Sequence, residues 1–223
     1  MAHKIPALLI SLKRRGVKKT ISVLLALIMD FYFDIKYGTD TKSWVKLGNL
    51  DIASDNKERG VMYQPTLVLP LKKLFGQLTV PKDSILVDLG CGKGRVLLIA
   101  SEFGFRELRG VEFSPELCKI AIKNCSIYKE KTKSSAGFRI LESDVVNYDA
   151  RDDETFFFMF NPFDAIVLKQ VLDKIAASLL ARQRRIWIIY RNPVHNDIVE
   201  EHGTFTRFGE FHCWGQDFII YKN

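Results

Sequence analysis

Three glycines at alternate positions, Gly90, Gly92 and Gly94, follow directly on an apolar run that ends in Asp88-Leu89. Glycines there let the backbone turn sharply and let a ligand lie against it with no Cβ in the way. Arg95 occupies the position where a dinucleotide fingerprint needs its third glycine, which argues against NAD or FAD. A Walker-type phosphate loop is excluded because the GK[ST] spacing is missing. Glu112 lies 18 residues beyond Gly94, at the end of the next β-like run, where a carboxylate can accept both hydroxyls of an unphosphorylated ribose. Farther along, Asp144 stands in Glu142-Ser143-Asp144-Val145, and Asn161-Pro162-Phe163 follows another apolar run. His195, in Asn192-Pro193-Val194-His195, is either a loop histidine or a base at the same sheet edge.

The elements that must position these residues alternate from residue 84 onward. Ser84 to Leu89, Glu107 to Phe113, Gly137 to Leu141, Thr155 to Phe160 and Arg185 to Tyr190 read as strands. Between them, Gly92 to Phe103 and Pro115 to Tyr128 read as helices, the second opened by a Ser114 cap and Pro115. Leu168, Val171, Leu172, Ile175 and Leu179 make one apolar stripe of a further helix. Thr204 to Phe211 and Gly215 to Tyr221 are too close for a crossover helix and predict an antiparallel hairpin. The sum is an α/β fold: a Rossmann-like three-layer sandwich, its mostly parallel seven-stranded sheet ending in that hairpin, with an N-terminal helical arm. The loop of glycines then lies at the carboxyl edge of a central strand, where open α/β sheets bind ligands.

A chain of 223 residues suits one domain with an appendage, divided here into an arm, 1–45, and a body, 46–223. Of the formal net charge of +7, residues 1–50 carry +6, so the body is nearly neutral and the basic character belongs to the arm. Nucleic-acid specificity asks for a basic body, which ranks RNA below a protein or a small metabolite as partner. Ile21 to Met29 is an apolar run closed by Asp30, too short against the roughly 20 residues a spanning helix needs, and no cleavage site follows it. Ile21, Leu24, Leu25, Ile28, Phe31 and Ile35 share one helical face, so residues 1–35 are expected either to pack on the body, to lie on a membrane surface, or to touch nucleic acid. Cys91, Cys118, Cys125 and Cys213 show neither CxxC pairs nor zinc spacing. That predicts no metal and no disulfides, in a reducing, cytoplasmic setting.

Val87 to Arg95 and Gly110-Val111-Glu112 resemble the first two motifs of class I (seven-β-strand) S-adenosylmethionine-dependent methyltransferases, the similarity covering residues 84 to 221. The resemblance implies S-adenosylmethionine as cofactor. Gly90, Cys91, Gly92 and Gly94 would border its methionine and ribose portions, Asp88 would orient its ammonium, and Glu112 would hold the ribose. Asp144, with the Val145 backbone, would meet the adenine; the alternative for Asp144 is a helix cap. Phe160-Asn161-Pro162-Phe163 resembles the (Asp/Asn)-Pro-Pro-(Tyr/Phe) motif of enzymes that methylate nitrogen, without the second proline. In that motif the Asn oxygen and the Pro carbonyl accept hydrogens from the target amine, and the aromatic ring stacks on it. The alternative is a strand-ending turn with a core Phe.

Tyr63-Gln64-Pro65-Thr66, together with the apolar arm, is similar to the lysine methyltransferases that modify ATP synthase subunit c, and implies Tyr63 and Thr66 as cofactor contacts. Lys93 stands where that group usually has an acidic residue. Residues 33, 34 and 37–41 belong either to the same lid or to a solvated connection. The expected activity is N-methylation of an amine such as a protein lysine; the alternatives are an RNA or metabolite methyltransferase, or a non-catalytic binding module anchored by the basic arm.

Overall fold

Every residue of Ile85–Leu89 is buried, as are the first four of Phe156–Phe160, which is what predominantly apolar runs, broken only by Asp88, dictate for strands covered on both faces. The structure, a computed structural model, describes residues 21, 24–43, 64–160 and 164–223. Its sheet holds β1 (Ile85–Leu89), β2 (Glu107–Glu112), β3 (Gly137–Glu142), β4 (Phe156–Phe160), β5 (Trp187–Arg191), β6 (Thr206–Cys213) and β7 (Gln216–Lys222). They lie in the order β3-β2-β1-β4-β5-β7-β6. The first five strands run parallel, and β7 pairs antiparallel with both β5 and β6. The order reverses between β1 and β4, so the crevice at their carboxyl ends is the binding edge of the sheet.

Side chains alternate across the two faces. Leu86, Phe156, Phe158 and Ile189 join one core with Phe33, Leu71, Phe75, Leu98 and Tyr128. Val87, Phe157, Met159 and Ile188 join the other with Val167, Leu168, Val171, Leu172 and Ile175. The first core is roofed by α1 (helical through residues 24–37), α2 (Val68–Phe75), α3 (Arg95–Ala100) and α4 (Pro115–Thr132). The second is roofed by α5 (Ala165–Ala181) and α6 (Asn196–Glu201), beside a 3-10 turn at Val145–Asn147. Ser114 Oγ accepts Leu117 N–H at 3.3 Å and caps α4; Asp164 Oδ1 accepts Ile166 and Val167 N–H at 3.1 and 3.0 Å and caps α5.

Two expectations shift. Helix α3 begins at Arg95 rather than Gly92, because Gly92 and Gly94 have φ of +53° and +83°, a left-handed backbone that no helix interior accepts. Helix α1 packs on the body, but not through its apolar stripe. Its inward face carries Ala26, Asp30, Phe33 and Asp34, none more than 6% exposed, whereas Ile21, Leu24, Leu25, Ile28, Phe31 and Ile35 are 46% to 62% exposed. The reason is electrostatic: the two inward carboxylates meet a buried guanidinium from the glycine loop. Among the described residues no helix is long and apolar enough to cross a membrane.

Candidate cofactor and active site

The turn after β1 is held by the neighbouring strand. Gly90 and Cys91 N–H both donate to the Val111 carbonyl, at 2.9 and 3.0 Å, and Gly94 N–H closes the turn on the Cys91 carbonyl at 2.9 Å. Gly90, with φ +80°, Gly92 and Gly94 all sit in left-handed conformations. The close approach extends to β2: a Cβ on Gly110 would lie 2.5 Å from Cys91 Sγ and 2.9 Å from Cys91 Cβ. The Cys91 side chain therefore faces the sheet, and what Cys91 offers to a ligand is backbone. Burial pushes its thiol well above the usual range.

Asp88 and Glu112 flank this loop, each 3% exposed. Glu112 Oε2 accepts Gly92 N–H at 2.9 Å and Oε1 accepts Ser114 N–H at 3.0 Å. A carboxylate has about four lone-pair directions, so capacity remains for a ligand's hydroxyl. Asp88 accepts no hydrogen bond among the described residues, and burial, reinforced by the Glu112 charge, raises its pKa well above the usual carboxylate range. A buried acid without a donor is expensive unless a positive group arrives. Here it lies against a glycine cradle, which suits the ammonium of an amino-acid-bearing nucleoside. Asp144 Oδ1 accepts Val146 N–H at 3.1 Å at the start of the 3-10 turn, so the cap expected as its alternative role is present. Ser143 N–H donates to the Glu112 carbonyl at 2.9 Å, which ties that turn to the end of β2.

The arm is built into the same site. Arg95, 2% exposed, donates through Nε to Thr41 Oγ1 at 2.8 Å and through Nη1 to Asp30 and, at 3.3 Å, to the Thr66 carbonyl; Asp34 lies 3.7 Å from its Nη2. Asp30 also accepts Val68 N–H at 2.9 Å. Asp34 accepts the Thr39 and Thr41 hydroxyls at 2.7 and 2.8 Å and the Lys42 N–H at 2.9 Å. Lys93 Nζ reaches Asp40 at 2.9 Å, and Asn124 Nδ2 bonds the Lys93 and Asp40 carbonyls, each at 3.0 Å. Residues 37–41 are thus docked, with Thr41 fully buried. Arg95 holds α1 through Asp30 and Asp34, and Lys93 holds the segment that follows the helix through Asp40.

The structure brings together Thr66, Asp88, Gly90, Cys91, Gly92, Gly94, Glu112, Asp144 and Val145 around the carboxyl ends of β1, β2 and β3. Tyr63 and the segment Asn161, Pro162, Phe163 lie outside the described residues. His195 precedes α6, its N–H 3.4 Å from Tyr190 Oη. Among the described residues no group of three or more His, Cys, Asp or Glu could hold a metal ion, and all four cysteines are free thiols. A shallow groove beside the hairpin, lined by Asn192, Val194, Arg207, Glu210 and Phe211, shares no residue with the glycine loop.

Sequence reasoning offered Asp34 only as part of a possible lid, and missed the pairing of Asp30 and Asp34 with Arg95 and the place of Arg191. The signal for that pairing was two aspartates one turn apart inside a greasy helix, which is costly unless they are paired inward.

The model of the family described as "Histone methylation protein DOT1" matches residues 59–169. A protein-lysine N-methyltransferase of Saccharolobus islandicus (strain REY15A) is 34% identical over 65 residues, 29% of this chain and 40% of that protein. The chain therefore matches less than half the length of this curated relative. Among solved structures, an RNA methyltransferase from Salinibacter ruber in complex with S-adenosyl-L-homocysteine is similar at TM-score 0.52 and 17% identity, covering 71% of this chain and 92% of that one. A SAM dependent methyltransferase from Aquifex aeolicus gives TM-score 0.53 at 12% identity over 68% and 88%. At these identities the solved structures speak for the fold.

Proposed function

From the premise that the chain belongs to the class I, seven-strand S-adenosylmethionine-dependent methyltransferases, we propose that it methylates an amine nitrogen, a protein lysine first among acceptors. The observation that carries the cofactor half is Asp88, buried and, among the described residues, without a donor, beside three left-handed glycines. The acceptor half rests on Asn161-Pro162-Phe163, which follows the last residue of β4 in sequence, and on the lysine methyltransferase similar to this chain.

Bound S-adenosylmethionine supplies a sulfonium methyl, whose carbon accepts the nitrogen lone pair as the carbon–sulfur bond breaks and sulfur keeps that electron pair. The residues of the chain do the positioning. Asp88 would take the cofactor's ammonium, Glu112 its ribose hydroxyls, and Asp144 with the Val145 backbone its adenine, with Thr66 and Tyr63 as further cofactor contacts. Asn161 and the Pro162 carbonyl accept the amine's hydrogens and aim its lone pair, with Phe163 stacked beside it; alignment of this kind is worth several kcal/mol. A lysine amine, whose ordinary pKa is about 10.4, must shed a proton first, and a desolvating pocket favours that loss.

We also propose that α1 lies on an anionic bilayer surface in a reducing, cytoplasmic compartment, no metal being needed. Its outward Leu24, Leu25, Ile28, Phe31 and Ile35 are each close to half exposed or more. The sequence just before them holds Lys13, Arg14, Arg15, Lys18 and Lys19, the charge pattern of an interfacial helix.

The test is transfer of a tritiated methyl from S-adenosylmethionine into fractionated lysate, with protease and nuclease controls. Protease-sensitive, nuclease-resistant label that falls at least tenfold with a folded Asn161→Ala variant is expected. Nuclease-sensitive label would move the acceptor to RNA, and full activity of Asn161→Ala would remove the amine-aiming role.

A further inference from the structure

Arg191, the last residue of β5, is 6% exposed, yet among the described residues its guanidinium has no carboxylate partner. Nε donates to the neutral Gln216 Oε1 at 2.9 Å, and the Phe160 ring lies 3.2 Å from Cζ. Nη1 is buried with no hydrogen-bond partner, and Nη2 makes none among the described residues. Arg109, by contrast, is buried on Glu107, Asp153 and Glu154, and Arg95 on Asp30. Burial lowers the Arg191 pKa to about 9, with the Asp30 charge acting the other way. A buried cation left unpaired opposes folding, and such a group at a sheet's binding edge marks a functional position.

Its place in the sheet tells what it waits for. In the paired register Asp88 faces Phe158, and Phe160 faces Arg191. Leu86, Phe158 and Ile189 belong to the core under α1 to α4, so by strand alternation Asp88 and Arg191 project on that same face. Two strand spacings across and two residues along put their backbones about 12 Å apart. A lone carboxylate and a lone guanidinium thus converge on the carboxyl edge from the two strands that flank β4. An amino acid, with its ammonium and carboxylate on one carbon, answers both charges. We propose that Arg191 is the seat of the carboxylate of the cofactor's methionine portion, opposite the ammonium held by Asp88. This rests on the methyltransferase reading above.

The experiment is calorimetric titration of the full chain with S-adenosylmethionine and with decarboxylated S-adenosylmethionine, which lacks only the carboxylate. The wild type is expected to bind the first at least tenfold tighter. Arg191→Met, which fills similar space without charge, is expected to lose that tenfold for S-adenosylmethionine and to bind the decarboxylated compound as the wild type does. Arg191→Lys is expected to recover part of the loss. The thermal midpoint of Arg191→Met in the absence of ligand should equal or exceed that of the wild type, because an unpaired buried charge has gone; a purely structural arginine would lower it. Unchanged affinity for S-adenosylmethionine, or equal loss for both ligands, overturns the assignment. A wild type that binds neither compound would instead defeat the methyltransferase reading itself.

Discussion

Asp88 shows how one buried residue ties stability, ligand and pH together. Its folded pKa lies above the ordinary value, pushed up by burial and by Glu112. The contribution it makes to folding is therefore full at low pH and is lost as pH rises through that folded pKa. When ionised, the acid weighs against the free protein, and a cofactor ammonium offsets that cost. Binding an ammonium favours the carboxylate, so the pKa falls in the complex. Between the two values affinity rises with pH, by up to tenfold per unit, and binding releases a proton. Titrations in buffers of different ionisation heat should detect that release, and Asp88→Asn should bind at least tenfold more weakly with no release. A variant that kept both affinity and proton release would show that Asp88 does not meet the cofactor. This residue, Glu112 and the three glycines were legible in the sequence because type, spacing and strand-loop-helix context coincide. Arg191 was not, because a lone arginine at a strand end carries no pattern; only its unpaired burial shows it.

At the scale of elements, α1 is where sequence and structure part. Helical periodicity picked out the stripe Ile21, Leu24, Leu25, Ile28, Phe31 and Ile35, and all of these face outward. Periodicity reports which residues share a face, not which face packs, and here the buried pairing of Asp30 and Asp34 with Arg95 decides. Breaking one partner of such a pair costs about 3–5 kcal/mol, whereas replacing both by apolar groups costs far less. Urea unfolding should therefore find Arg95→Met strongly destabilised and Asp30→Leu/Arg95→Met markedly less so than the sum of the single variants. Additive losses would mean the two side chains do not depend on each other. The outward stripe makes a separate prediction. Leu25→Glu/Ile28→Glu/Phe31→Glu should leave the midpoint of unfolding nearly unchanged and abolish co-sedimentation with anionic liposomes; equal co-sedimentation would exclude the bilayer as the occupant of this face. The strands and helices of the body were legible to within a few residues, since buried parallel strands must be continuously apolar. Their ends moved where glycine conformation intervened, as at Gly92 and Gly94.

For the whole molecule, the fold assembles one edge at which Asp88, Glu112 and Arg191 end their strands' approach to a single crevice, with α1 locked to the loop between them. A body whose charges nearly balance fits recognition by shape and local hydrogen bonds better than by long-range attraction to a polyanion. The central claim is that this edge holds S-adenosylmethionine, and calorimetry with S-adenosylhomocysteine tests it most directly. One-to-one binding to the wild-type chain is expected, with at least tenfold loss for Glu112→Ala. Folded wild-type protein that gives no binding heat and no rise in thermal midpoint with excess ligand would contradict it.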